Sequence, residues 1–302
     1  MQNIKWLLFH EPAELFIRTA EHFEEEINRL TNNQFKFEIM LLDDYEKQYN
    51  NGNPVDMISE IQSNRVQMSQ MYTGSLAFSK VNDYHALALP FLFRDHDHAT
   101  RVFEGEVGVE LLAQLKSKLN IKGLSFTYSG GYKCMAADKP ITQLDDFKNL
   151  TYRRQRSGVF TDIFNALGAT PVTDGTQNIN QTTLPRYKVD SLDSQRWCTN
   201  TGHSMYLTSI IMSDQMWSSF DETTQQHFKT AARITADTER KQSVADAVSI
   251  ETDDKKRAEA GIDAVFYLDE ADQMKLRSKL EPIIERWKPY FTPGLVDRIQ
   301  SA

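Results

Sequence analysis

Hydrophobic and polar positions along this chain switch repeatedly between two periods. Residues 4–9, Ile-Lys-Trp-Leu-Leu-Phe, form a short apolar run that reads as a buried strand. Leu15, Phe16, Ala20, Phe23 and Ile27 then recur at helical spacing, and residues 35–41 alternate as a strand does. The pattern predicts a helix over 56–63, a strand over 66–72, one amphipathic helix over 99–119, and a strand over 124–128. Gly130-Gly131 punctuates the chain there. A second series follows: a strand over 132–137, a short helix over 144–150, a strand over 150–154, and a helix over 158–167 closed by Gly168. A short helix over 182–188 and a strand over 189–192 complete it. Beyond Ser213 the pattern turns helical, over 221–247 and on to 260, then over 269–288. Such alternation predicts an α/β architecture, with helices packed on mixed, mostly parallel sheets and long C-terminal helices. Gly130-Gly131 is the first expected domain crossing.

Length and charge narrow the function classes. The chain has 302 residues, enough for two modest domains, and its net charge is −8. No basic footprint for nucleic acid is present. No apolar run reaches the roughly 18–20 residues that span a bilayer, so direct membrane insertion is not expected. The N-terminal run faintly resembles a signal peptide but is too short for its apolar region, and no small-residue cleavage site follows it. The chain is therefore either cytoplasmic or a mature exported protein with its signal removed. Cys134 and Cys198 are the two cysteines, and whether they pair stays open. His96 and His98 lie two apart near acids and read as a solvated loop rather than a metal site. Neither a phosphate loop of Walker or Rossmann type nor a Gly-Xaa-Ser-Xaa-Gly elbow occurs. Asp190 and Asp193 are three apart, and read as surface or hinge carboxylates rather than a general acid/base pair. Neither an enzyme nor a cofactor is indicated.

Several segments in order resemble the solute-binding proteins of tripartite ATP-independent periplasmic (TRAP) transporters, of the DctP type. Leu89-Pro90-Phe91-Leu92-Phe93-Arg94-Asp95 is similar to their Leu-Pro-Phe-apolar-Phe stretch. The segment 58–71 resembles the strand before it, with Asn64 where Gly is usual and Gln67 where Asp is usual. Gly131-Tyr132-Lys133 stands where Gly-Xaa-Arg is usual. Residues 139–153, ending Leu150-Thr-Tyr-Arg153, resemble the family's Pro-Ile…Asp-Leu-Lys-Gly-Leu-Lys-Ile-Arg. Ala166-Leu167-Gly168-Ala169-Thr170-Pro171 matches Ala-Leu-Gly-Ala-Xaa-Pro. Residues 184–193 and Met212-Ser213-Asp-Gln-Met-Trp217 complete the series. The resemblance implies two α/β lobes that close like a clamshell on a small anion. The lobes are expected over 1–128 plus 207–246, and over 129–206 plus 247–302, with the ligand cleft between them. It also implies a periplasmic location and delivery to TRAP membrane subunits. The alternative is a periplasmic sensory module not coupled to transport.

The resemblance assigns Arg153 to the ligand carboxylate. A guanidinium offers a flat fork of donors that matches two carboxylate oxygens and stays charged when desolvated. Strand alternation sends Arg153 and Arg154 to opposite faces, and the Asp146–Leu150 register favours Arg153. Lys133 is the second candidate; it keeps the charge of the usual arginine and loses the bidentate geometry. Asp193, Ser194 and Gln195 are expected contacts, and Trp197 either stacks on the ligand or fills core. In the first lobe His10 and Glu11 follow the first strand, where open α/β sheets bind ligands. Glu11 either meets a ligand amine or stabilises the start of the next helix. Tyr72, with Thr73, is similarly placed. The stretch 89–95 is expected as core beneath the first lobe's cleft, with Phe91 and Arg94 as minor contacts. The expected ligand is a small organic carboxylate, with or without an amine.

Overall fold

The computed structural model describes residues 1–173 and 177–302. The chain forms two compact units. Unit 1 comprises Met1–Val81, Thr100–Thr127 and Leu207–Lys241; unit 2 comprises Asn82–Ala99, Tyr128–Tyr206 and Gln242–Ala302. In chain order the strands are β1 (Gln2–Leu8), β2 (Phe35–Leu41), β3 (Met68–Tyr72), β4 (Ile121–Tyr132), β5 (Cys134–Ala137), β6 (Thr151–Arg153), β7 (Thr170–Val172), β8 (Ile179–Thr182), β9 (Trp197–Asn200), β10 (Met205–Ser213) and β11 (Ala264–Tyr267).

In unit 1 the sheet order is β2-β1-β3-β10-β4. β1 runs parallel to both β2 and β3, while β10 is antiparallel to β3. The helices Ala13–Thr31 and Glu222–Thr252 contribute to its core. Trp6 and Phe37 from the strands meet Phe23, and Phe23 meets Phe228, at ring separations of 5.4 to 5.9 Å. The periodic positions of the first helix, Phe16, Ala20, Phe23 and Ile27, are all fully or nearly fully buried, as their 3.6-residue spacing requires. No helix among the described residues is long and apolar enough to cross a membrane.

In unit 2 the sheet order is β11-β9-β5-β8-β6-β7. β6 is parallel to β7 and β8, β9 is parallel to β11, and β5 is antiparallel to both β8 and β9. Tyr152 of β6 stacks on Phe164 at 4.7 Å, anchoring the helix Gly158–Ala166. Cys134 and Cys198 are buried free thiols on the neighbouring strands β5 and β9.

Four local expectations change. The helix expected over 99–119 is two, His96–Glu104 and Glu106–Leu119. The glycines explain the break: Gly105 caps the second helix with extended backbone, and a Cβ on Gly108 would collide with the Phe103 carbonyl. Residues 189–192 are not a strand. Tyr187–Asp190 is a helical turn that leaves Val189 47% and Leu192 42% exposed, while the strand lies earlier, in β8. Polar Asn180 and Gln181 hid β8 from a hydrophobic-pattern reading. His96 and His98 do not lie in a solvated loop. His98 is buried, its Nδ1 accepts the Arg94 amide at 3.0 Å, and its Nε2 lies 2.7 Å from the Ile299 carbonyl. The stretch 89–95 packs in unit 2, not beneath the first lobe. Leu89, Leu92 and Phe93 are core there, Phe91 takes φ +52° and donates its amide to the His203 carbonyl, and Arg94 binds the Gln300 carbonyl. This non-local packing is what the apolar run could not reveal.

Two outcomes test the account of unit 1. Phe228→Ala removes the ring shared by Phe23, Phe35 and Phe220, and chemical denaturation is expected to show a loss of about 3–5 kcal/mol. Glu60 is buried, accepts Tyr45 Oη at 2.6 Å and is forked by Arg65, which with Tyr45 holds its carboxyl below the usual glutamate range. The unfolded chain therefore binds this proton first as pH falls. The contribution is complete above about pH 4–5 and disappears as pH drops through the depressed folded value. Glu60→Gln is expected to remove that portion of the acid dependence, seen as a narrowing gap between the two unfolding profiles on acidification.

Candidate functional site

Strand direction decides which residues of unit 2 share an edge. β6 and β8 are parallel, so both end at the same side of the sheet. β5 is antiparallel to β8, with Cys134 opposite Thr182, so the start of β5 lies beside the end of β8. Arg153 closes β6 and Lys133 immediately precedes β5. The two cations therefore stand at one edge of the sheet, the carboxyl end of its parallel strands β6 and β8, with Gln181 of β8 between them. Edges of this kind are where open α/β sheets bind ligands.

Arg153 is exposed and Tyr152 buried, as alternation requires. The Arg153 amide donates to Gln177 Oε1 at 3.0 Å, which fixes the backbone. Its guanidinium has no ion pair among the described residues. Lys133 is 2% exposed, its amide bonds the Ser204 carbonyl at 2.8 Å, and its Nζ lies 5.7 Å from the Tyr206 ring. Arg186 lies over the same ring at 4.4 Å and is held bidentate by Asp190 at 3.0 Å through each of two nitrogens. Asp190, with Thr182 Oγ1 also donating to it at 2.8 Å, is thus a positioning group for Arg186 rather than half of an acid/base pair with Asp193.

His203 is fully buried beside this edge. Its Nε2 donates to Gln181 Oε1 at 2.9 Å and its Nδ1 accepts from Thr201 Oγ1 at 2.7 Å. An amide oxygen only accepts, so the proton sits on Nε2 and the ring is neutral. Burial first, and then the Lys133 charge, push its pKa down to about 3. The ring keeps Gln181 oriented, and the amide nitrogen of Gln181 finds no acceptor among the described residues. Gln181, Arg186, His203 and Tyr206 were missed by the sequence reading. The nearest signal was Arg186-Xaa-Xaa-Xaa-Asp190, whose i,i+4 spacing suits an ion pair.

Not all the expected contacts gather here. β9 is antiparallel to β5, with Trp197 opposite Ala137. Trp197 therefore enters the sheet at the end opposite Lys133, and Asp193, Ser194 and Gln195 lead into that far end. Asp193 and Ser194 are exposed, Gln195 is buried and its Oε1 accepts the Leu192 amide, and Trp197 packs 6.0 Å from Phe266. The end of β9, toward Asn200, is the part that reaches the Lys133 edge.

In unit 1 the parallel strands β1 and β3 also end together. His10 Nε2 accepts the Tyr72 amide at 2.9 Å, and the buried Thr73 hydroxyl donates to the Leu207 carbonyl at 3.1 Å. The imidazole thus stitches the two strand ends. Glu11 is exposed, and its Oε2 accepts the Ala13 amide at 2.9 Å, stabilising the start of the first helix. No group of three or more His, Cys, Asp or Glu that would hold a metal occurs among the described residues.

The chain and its fold have counterparts among known proteins. The family model for bacterial extracellular solute-binding protein, family 7, matches residues 9–289. The C4-dicarboxylate-binding periplasmic protein DctP of Rhodobacter capsulatus is 31% identical over 216 residues, 66% of this chain and 61% of that protein's length. The C4-dicarboxylate-binding protein DctB of Bacillus subtilis is 24% identical over 92% of this chain and 79% of its own. A TRAP periplasmic solute-binding protein of Shewanella oneidensis, solved with bound succinate, superposes with a TM-score of 0.80 at 20% identity, covering 99% of this chain and 98% of that one. The fold is that of the TRAP solute-binding proteins, and the chain belongs to bacterial extracellular solute-binding protein family 7, a family of transport proteins and not of enzymes.

Proposed function

We propose that this protein captures a small organic carboxylate in the periplasm by closure of its two units and delivers it to a TRAP-type membrane transporter. The observation that carries the reading is Arg153: an exposed guanidinium without an ion pair among the described residues, its backbone fixed, at the carboxyl end of a parallel strand. A carboxylate supplies the two coplanar acceptors that such a fork lacks. Lys133 adds a second positive charge at the same edge, and Gln181 adds an oriented neutral donor. The names of the R. capsulatus and B. subtilis relatives and the succinate in the S. oneidensis structure support the same ligand class. In unit 1 His10, Tyr72 and Thr73 are the groups we assign to the ligand's other end. A ligand amine would call on Glu11, which already serves the first helix.

Thermal unfolding with a panel of mono- and dicarboxylates, sugar acids and amino acids tests the reading. A true ligand at one hundred times its Kd is expected to add about 2.7 kcal/mol of stability. Calorimetry should then show binding abolished in Arg153→Ala and partly kept in Arg153→Lys. Lys133→Gln is expected to weaken affinity about tenfold, as loss of one charge-assisted contact does. A panel without any stabilising carboxylate, or an Arg153→Ala protein that binds as tightly as the parent, rules the reading out.

A further inference from the structure

Unit 1 has a second feature that carboxylate capture at the strand ends does not use. β4 is one edge strand of its sheet, and its residues 122–126 help line a cavity of about 370 Å³. Its walls come from the helices Glu106–Leu119 and Glu222–Thr252 and from the end of His96–Glu104. The size falls within the range of about 300–1,000 Å³ usual for small-molecule sites.

The lining is split by chemistry. Phe103, Val109, Leu112, Leu124 and Phe126 supply an apolar wall, with Val109 63% exposed. The same lining carries cations. Lys229, Arg233 and Arg240 are spaced four and seven residues apart, which puts them on one face of their helix. Lys122 joins them from β4. The cavity's one carboxylate, Glu104, is already bound to Arg240, whose Nη1 also holds the Phe126 carbonyl at 3.0 Å. Arg240 is 4% exposed, and its Nε is buried without a hydrogen-bond partner among the described residues. Lys122, Lys229 and Arg233 have no ion pair among the described residues. Lys122 and Lys229 lie 4.9 and 5.8 Å from the Trp217 ring instead. Three cations without an ion pair among the described residues, gathered around one cavity, are unexpected in a chain whose net charge is −8. Burial, and then Lys229 and Lys116, push the Lys122 pKa down against the smaller opposing pull of Asp214, a cost that an anion in the cavity would relieve further.

We propose that this cavity is a second small-molecule site, for an amphipathic carboxylate whose head meets Lys122, Lys229 and Arg233 and whose apolar body lies on Val109, Leu112 and Leu124. A free inorganic anion would leave the apolar wall unused, and a neutral apolar compound would leave the cations unpaired. The site is separate from the Arg153 edge, because every residue lining it belongs to unit 1.

The test titrates the protein with octanoate while following methyl resonances of Val109, Leu112 and Leu124 by NMR. Octanoate is expected to perturb them saturably, 1-octanol to bind at least tenfold more weakly, and inorganic phosphate to leave them unmoved. Lys122→Gln/Arg233→Gln removes two exposed or half-exposed charges and should weaken octanoate about tenfold or more, the loss of charge-assisted contacts. Ala113→Trp fills the cavity, keeps every charge, and should abolish the perturbation. Arg153→Ala should leave it intact, so failure of the carboxylate-capture reading and failure of this one are distinguishable. Unfolding midpoints near the parent's verify that the variants fold. The proposal is overturned by no saturable change, by octanol or phosphate matching octanoate, by either cavity variant retaining full affinity, or by loss of the effect in Arg153→Ala.

Discussion

The pairing of β5 with β8 is the constraint on which the proposed site depends. Cys134 stands opposite Thr182 and Ala137 opposite Ile179, so β5 runs against the parallel strands beside it. That direction brings Lys133 to the edge where Arg153 ends β6. It also brings β9 back to the same edge, so that Thr201 and His203 follow directly. Were β5 parallel to β8, Lys133 would lie at the far end of the sheet, some 10 Å or more away given about 3.3 Å per residue. A one-residue slip would be as damaging, since it exchanges the two faces of the strand.

Around that edge, charge and neutrality are arranged differently. Arg186 is paired with Asp190, so its charge is balanced within the unit. His203 is kept neutral by burial and by two hydrogen bonds that fix its tautomer. Lys133 lies against Tyr206, and Arg153 alone among these groups is an exposed fork without an ion pair among the described residues. In the proposed site a ligand carboxylate would meet one geometry-matched cation, a second point charge and a neutral donor. This division suits reversible capture: the charges engaged in structure stay engaged, and the charge offered to the ligand costs little to desolvate fully once it is paired. In unit 1 an imidazole again serves the structure, with His10 accepting the Tyr72 amide and joining the ends of β1 and β3.

Much of the fold was legible because its elements carry local signals. The helix Ala13–Thr31 announces itself through Phe16, Ala20, Phe23 and Ile27, and β2 through strict alternation. Short polar strands were not legible. β8 reads Ile-Asn-Gln-Thr, and its strand character comes from being enclosed by β5 and β6 rather than from its side chains. The break at Gly105 needed the approach of Gly108 to the Phe103 carbonyl, a contact between two helices. The His96/His98 reading failed because the partners of His98, the Arg94 amide and the Ile299 carbonyl, include one about two hundred residues away in sequence.

The sequence by itself determined the alternating α/β plan, the family to which the chain belongs, and the residue types able to hold a carboxylate, because periodicity, ordered motifs and side-chain chemistry are local properties. Only the tertiary structure decided which candidates share an edge. Arg153 and Lys133 do, while Asp193, Ser194, Gln195 and Trp197 lead into the opposite end of the sheet. It also decided that Gln181 and His203 accompany the two cations, and that Lys122 and Arg233 line one cavity from elements a hundred residues apart. Proximity of that kind follows from strand direction and sheet order, and those are set by long-range pairing that no single segment encodes.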